Sequence, residues 1–193
     1  MKAVVFNIGC KVNQYESDKL FQALIKRGFE VFCHFTYADI YIINTCAVTA
    51  EAERKSRQAV QRCLAKNPNA KVYICGCSSQ NNPEQFDKEG VEFICGVKKD
   101  ELLQRVDKDY LFSASFEKIL TSAKSRTRAY VKIQDGCDNF CSYCIIPHLR
   151  GRSRSRTEEE IVQEVKTLAK STKEIVLVGI NLSLYGKDTN TTL

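Results

Sequence analysis

Cys137, Cys141 and Cys144 stand in the run DGCDNFCSYCIIPHLRG, spaced C-x-x-x-C-x-x-C with no fourth cysteine close by. Structural zinc takes four protein ligands, and a 4Fe–4S cube normally takes four thiolates. Three thiolates leave one iron open, and an open metal position is where a substrate or cofactor binds. The competing reading is a zinc knuckle completed by His148 or by a distant cysteine. Zinc ribbons pair two C-x-x-C units, however, and only one such spacing occurs here. Ten cysteines in 193 residues also fall below the density of a small disulfide scaffold.

The elements that must position these thiols can be read from the hydrophobic pattern. KAVVFNI is a short apolar run that ends at Gly9-Cys10. SDKLFQALIKRG follows with Leu20, Phe21, Leu24 and Ile25 on one helical face and Gly28 as a stop. FEVFCHF reads as a strand, and ADIYIINTC as a buried strand ending at Cys46. A long helix is expected from Thr49 to Lys66, closed by Asn67-Pro68. AKVYICGC and VEFICG are further strands, ending at Cys77 and Cys95. Strands alternating with helices imply a mostly parallel sheet covered on both faces, the flavodoxin-like doubly wound pattern of the α/β class. Residues 100–126 lose the clean period and turn polar, which reads as a linker region carrying a short helix. The domains are placed at 1–112 and 127–193, with 113–126 between them.

A second βα pattern follows. RAYVKIQ leads as a strand into the cysteine loop, TEEEIVQEVKTLAKS is a helix with Thr157 as cap and Glu160 as its box partner, and EIVLVGINLSLYG is the next strand and turn. A full (β/α) barrel needs roughly 250 residues, so 127–193 supply only its first βα unit and second strand. The chain is therefore expected to be a truncated piece, inactive alone.

Three further cysteines end separate expected strands: Cys10, Cys46 and Cys77. Ligands of open α/β sheets bind outside the carboxyl ends of the strands. Three thiols there offer a second cluster site with an open iron, and Gly9 and Gly76 let backbone approach an inorganic core. Cys95 competes on position alone. Cys33 and Cys75 in strands and Cys63 on a helix read as buried small hydrophobes.

Charge is concentrated. Residues 121–156 hold eight basic side chains against two acidic ones, an excess equal to the net +6 of the whole chain. A basic segment around a metal site points to a polyanionic partner. The apolar fraction of 44% supports a buried core. No apolar run is long enough to cross a bilayer, and the run in MKAVVFNIGC is too short for a signal-peptide core. The expected location is cytoplasmic, with thiols reduced.

Four motifs, GCKVNQYES (9–17), INTCAVTAEAERKSRQ (43–58), GCSSQ (76–80) and KIQDGCDNFCSYCIIPHLRGRSRSR (132–156), together resemble the radical S-adenosylmethionine methylthiotransferases. The resemblance implies two 4Fe–4S clusters: an auxiliary one on Cys10, Cys46 and Cys77, and one on Cys137, Cys141 and Cys144 whose open iron chelates S-adenosylmethionine. Cys95 has no counterpart. GINLSLYG (179–186) is similar to the family's strand end near the bound cofactor, which marks Asn181, and Phe140 or Tyr143 is expected to pack over the cluster or the adenine. Arg150, Arg152, Arg154 and Arg156 are expected to meet tRNA phosphates or the cofactor carboxylate. His148 is read as a structural hydrogen-bond donor.

The implied reaction replaces the C2 hydrogen of a modified adenosine beside the tRNA anticodon with a methylthio group, fed by a flavodoxin- or ferredoxin-type electron donor. Lys11-Val12 and KSRQ (55–58) resemble the N6-threonylcarbamoyladenosine branch. The other branches act on isopentenyladenosine in tRNA and on an aspartate of a ribosomal protein. A reading of a different class, a non-catalytic metal- and RNA-binding fragment, uses the same cysteines and the same basic segment.

Overall fold

A computed structural model describes residues 1–110 and 127–192. The chain divides into two compact units, and the division falls between those two stretches. The expected linker at 113–126 and the domain edge at 112 lie outside the described residues.

The first unit is built in the order β1 (Lys2–Asn7), α1 (Lys11–Lys26), β2 (Glu30–Phe32), β3 (Ile40–Thr45), α2 (Ala50–Lys66), β4 (Lys71–Gly76), α3 (Cys77–Asn81), β5 (Val91–Ile94) and α4 (Lys99–Tyr110). Its five strands form one parallel sheet in the order β2-β1-β3-β4-β5. Every residue of β3 is buried, as a central strand covered on both faces requires. Alternate side chains serve two cores. Ala3, Val5, Ile40, Ile42 and Tyr73 pack with Leu20, Leu24 and Leu102 from α1 and α4. Val4, Tyr41, Ile43, Val72 and Ile74 pack with Val60 of α2 and with Phe86.

Helix α1 begins at Lys11, well before the apolar period of its sequence starts at Leu20. The reason lies in what its first turns bury: Asn13, Glu16 and Ser17 lie among Val12 and Tyr15, so the inward stripe is mixed and escapes a hydrophobic search. Strand β2 is shorter than FEVFCHF suggests, and Cys33 just beyond it is exposed rather than buried. Helix α4 is a full 12-residue element whose Leu102, Leu103 and Val106 enter the core. Its polar outer face is what made 100–110 resemble a linker.

Helix α2 starts as expected, with Thr49 as its N-cap and Thr49 Oγ1 accepting from the Ala52 amide at 3.1 Å. Thr49→Ala is expected to lower the urea unfolding free energy by about 1 kcal/mol. An unchanged midpoint in urea would show that the cap adds nothing to this helix.

The second unit pairs β6 (Arg128–Lys132) in parallel with β9 (Glu174–Val178) across α6 (Glu158–Leu168). Thr157 caps α6, accepting from the Glu160 amide at 3.4 Å. Ala129, Val131, Ile161 and Leu168 form its small core. Between β6 and α6 lie β7 (Gln134–Asp135), α5 (Ile146–Arg150) and β8 (Arg154–Ser155), with β7 and β8 antiparallel.

Candidate functional site

In the first unit the parallel register sets three cysteines at one end of the sheet. Asn7 pairs with Asn44, and Thr45 pairs with Gly76. Cys46 and Cys77 therefore leave their strands at the same level, and Cys10 follows β1 as the N-cap residue of α1. Cys46 and Cys77 are buried, and Cys10 is exposed.

A buried polar network ties the three turns together. Asn13 Nδ2 donates to the Thr45 carbonyl at 2.9 Å and to Asn44 Oδ1 at 3.3 Å. Asn44 Nδ2 returns bonds to the Asn13 carbonyl at 2.9 Å and to Ser17 Oγ at 3.0 Å. Cys10 Sγ lies 3.5 Å from Asn13 Oδ1. On the other side, Thr45 Oγ1 donates to the Cys75 carbonyl at 2.7 Å and accepts from the Ser79 amide at 3.1 Å. Ser79 Oγ donates to the Cys95 carbonyl at 2.7 Å. Asn13 and Asn44 bind the Cys10 turn to the end of β3, and Thr45 and Ser79 bind that end to α3, which opens on Cys77. Gly76 makes the fit possible. Its φ is 109°, and a Cβ there would stand 2.3 Å from the Thr45 carbonyl oxygen. Sequence reasoning missed these four polar residues; their signal was polarity at positions where the strand and helix pattern demands burial.

The second trio lies in the loop between β7 and α5. Gly136 enters it with φ 72°, where a Cβ would meet the Arg152 carbonyl oxygen at 2.0 Å. Phe140 also holds a left-handed φ of 45°. The Cys137 amide donates to the Gly151 carbonyl at 3.1 Å, and the Cys144 amide to the Cys141 carbonyl at 3.0 Å. Cys137 is buried, Cys144 half-buried and Cys141 exposed.

Gln134, also missed in the sequence, braces this loop from a buried strand position. Its Nε2 donates to the Gly136 carbonyl at 2.7 Å and to Ser153 Oγ at 2.9 Å, and its Oε1 accepts from the Asn181 amide at 2.9 Å. Asn181 Nδ2 in turn points at Cys137 Sγ, 3.8 Å away. The structure thus brings Asn181 to the cysteine loop.

The arginine run divides by exposure. The Arg150 side chain is fully buried and ion-paired to Asp135 at 3.1 Å, so it braces the loop and presents no charge to solvent. Arg156 is bonded to Glu164 at 2.6 Å and to the Lys132 carbonyl at 2.8 Å. Arg152 and Arg154 are the outward members, with side chains 73% and 57% exposed. The Arg152 guanidinium sits 4.6 Å from the Phe140 ring centroid, and His148 meets the same ring edge-on at 5.7 Å. Tyr143 is 90% exposed.

All ten cysteines are free thiols. Among the described residues, no group of three His, Cys, Asp or Glu side chains is set to hold a metal ion. What each trio supplies is soft donor type and shared position: three thiols outside any disulfide, the set that iron–sulfur clusters take.

Three other cysteines are removed from that chemistry by burial. It pushes the Cys63 and Cys95 thiols up to about 12 from an ordinary 9.0 and shifts Cys75 in the same direction. The thiolate is the ligand form, so Cys95, packed in the core with Cys75, is a poor competitor for Cys77. These shifts also set a pH dependence. Above the ordinary thiol value the unfolded chain releases protons that the folded chain retains. Stability is full below about 9 and falls as pH rises toward about 12. The urea midpoint should decline over that window, with a shallower decline in Cys63→Ala; equal slopes in the two proteins would contradict the assignment.

Comparison with known proteins gives the same division of the chain. A family model described as the uncharacterized protein family UPF0004 matches residues 2–96, and the radical SAM superfamily model matches residues 131–190. The chain is 39% identical over 97% of its length to "Threonylcarbamoyladenosine tRNA methylthiotransferase MtaB" of Aquifex aeolicus, covering 50% of that protein. It is 36% identical over 97% of its length to the protein of that name from Bacillus subtilis, covering 46% of it. It is also 36% identical over 93% of its length to "tRNA-2-methylthio-N(6)-dimethylallyladenosine synthase" of Clostridioides difficile, covering 42% of it. The chain spans about half the length of these relatives.

Proposed function

This chain belongs to the radical S-adenosylmethionine methylthiotransferase family, and from that premise we propose that it forms the cluster-bearing part of an enzyme that puts a methylthio group on C2 of N6-threonylcarbamoyladenosine beside a tRNA anticodon. The observation that carries the reading is the pair of cysteine trios, each outside any disulfide, each on its own scaffold and each braced by buried amides. An aromatic C2 hydrogen is not acidic, so acid–base chemistry does not reach it. S-adenosylmethionine with a 4Fe–4S cluster supplies the radical that does.

The chain's own residues then have defined tasks. Cys137, Cys141 and Cys144 hold the cluster that receives the cofactor, and Asn181 directs an N–H at the Cys137 sulfur, a contact of the kind that tunes cluster potential. Gln134 fixes the start of that loop. Cys10, Cys46 and Cys77 hold a second cluster, the sulfur-donating side of the reaction. Arg152 and Arg154 face phosphate, while Arg150 and Arg156 hold the loop beneath them. Phe140 packs under Arg152 beside the loop, and the exposed Tyr143 ring is open to an RNA base. The electron comes from a flavodoxin- or ferredoxin-type donor. Among the described residues no helix is long and apolar enough to cross a membrane, and we assign the protein to the cytoplasm, where its thiols stay reduced.

The threonylcarbamoyl assignment rests on Lys11-Val12 and KSRQ (55–58) and on the printed function of two of the relatives above. The dimethylallyl relative supports a second substrate. The test is nucleoside mass spectrometry of two tRNA pools, one bearing each precursor, after reaction with a reconstituted chimera in which this chain replaces the matching half of the Bacillus subtilis relative, given S-adenosylmethionine and a one-electron reductant. Methylthio product from the threonylcarbamoyl pool is expected. Product only from the dimethylallyl pool would reassign the substrate, and cofactor uncleaved with either pool would contradict the reading for this chain.

A further inference from the structure

The sheet order β2-β1-β3-β4-β5 puts the topological switch point between β1 and β3, where the chain departs in opposite directions along the sheet. Ligands of open α/β sheets bind in the crevice at that point. A cleft of about 560 Å³ opens there, between the end of β1, the connection from β2 to β3, and α2. Its size suits a small organic ligand. None of the cysteine trio lines it, although Gly9 at its floor precedes Cys10.

The lining has two characters. One wall is aromatic: Phe6 and Phe35 meet with ring centroids 3.8 Å apart and planes inclined by 33°, and Phe35 stays 37% exposed. The other wall is cationic: Lys55 and Arg62 lie two turns apart on α2, both exposed. The Arg62 guanidinium lies 5.2 Å from the Phe35 centroid. Glu51 at the rim is bonded to Arg54 at 2.7 Å and lies 3.5 Å from Lys55, so positive charge exceeds negative here. Gln58 adds an amide at the same rim. An aromatic ring capped by one movable cation, beside a second cation and an amide, matches a planar base joined to a phosphate.

We propose that this cleft binds a nucleotide, with the base stacked on Phe35 and the phosphate held by Lys55 and Arg62. Arg62 now covers the Phe35 ring, and it moves to the phosphate when a base takes its place. Two sources share this chemistry: a free mononucleotide, and one nucleotide of a single-stranded RNA loop. Only the second rests on the tRNA reading above.

The test titrates the whole chain with AMP by calorimetry and with a fluorescein-labelled single-stranded RNA by anisotropy, comparing the native protein with Phe35→Leu and with Lys55→Glu/Arg62→Glu. Circular dichroism of each variant checks the fold, and both sites are at the surface. Saturable binding is expected, weakened about tenfold or more by Phe35→Leu, since base–aromatic stacking is worth that much, and weakened further by the charge reversal. AMP binding with this pattern assigns a free-nucleotide site, and RNA binding alone assigns the RNA loop. If neither probe binds, or if both variants bind like the native chain, the proposal is overturned. RNA affinity that falls in Arg152→Ala but not in Phe35→Leu would overturn the cleft while leaving the tRNA reading standing.

Discussion

Gly76→Ala is expected to destabilise the first unit by about 2–5 kcal/mol, the joint cost of a left-handed backbone and of forced backbone movement. The added methyl would stand 2.3 Å from the Thr45 carbonyl oxygen, which cannot rotate away as a side chain can, and at φ 109° no L side chain sits comfortably. Gly28 provides the control. Its φ of 81° is also left-handed, but a Cβ there meets nothing within 4 Å. Gly28→Ala should therefore lose only the conformational part, about 1–2 kcal/mol. Urea unfolding of the two variants compares them directly. Equal losses would mean that the ends of β3 and β4 are not pressed together at Gly76, and with that the close placement of Cys46 and Cys77 would fail.

Asn44→Asp should cost about as much by a different route. The Asn44 amide is fully buried, gives two hydrogen bonds and accepts one. A carboxylate there loses both donors, faces the Asn13 carbonyl, and is desolvated. Burial, with only the Asn13 side-chain amide donating to the charge, raises the pKa of the new carboxyl. The native state then binds a proton that the unfolded chain has released, so the loss is greatest at neutral pH and eases as pH falls through the raised value. About 3 kcal/mol or more at pH 7 is expected, from unsatisfied buried groups and the buried charge. Asn44→Ala, which carries no charge, should be destabilised without this pH dependence. If the aspartate and alanine variants respond to pH alike, the amide is not enclosed as described, and the network does not hold the Cys10 turn to β3.

These predictions concern residues that hydrophobic pattern alone did not reveal. The strands, α2 and the parallel sheet were legible because β1, β3 and β4 are apolar runs and α2 has a clean cap at Thr49. The placement of Cys10, Cys46 and Cys77 after strands and of Cys137, Cys141 and Cys144 in one loop was legible too, although Cys95 also ends a strand and position alone does not separate it from them. The start of α1 was not legible, since Asn13, Glu16 and Ser17 are buried there beside Val12 and Tyr15 and break the apolar period, which runs clean only from Leu20. Helix α4 was blurred for a related reason: only Leu102, Leu103 and Val106 enter the core, and the rest of its surface is charged. Assigning Arg150 inward required its long-range partner Asp135, which no local pattern specifies.

The central claim is that two separate trios of thiols each hold a cluster, one per unit. It is tested most directly by counting iron and acid-labile sulfide per chain after anaerobic reconstitution, in the native protein and in Cys10→Ala. Cys10 is exposed, so the substitution leaves the cores intact. About eight of each in the native chain, falling to about four in Cys10→Ala, is the expected result for two 4Fe–4S clusters. Negligible iron with zinc retained, or a count unchanged by Cys10→Ala, would contradict it.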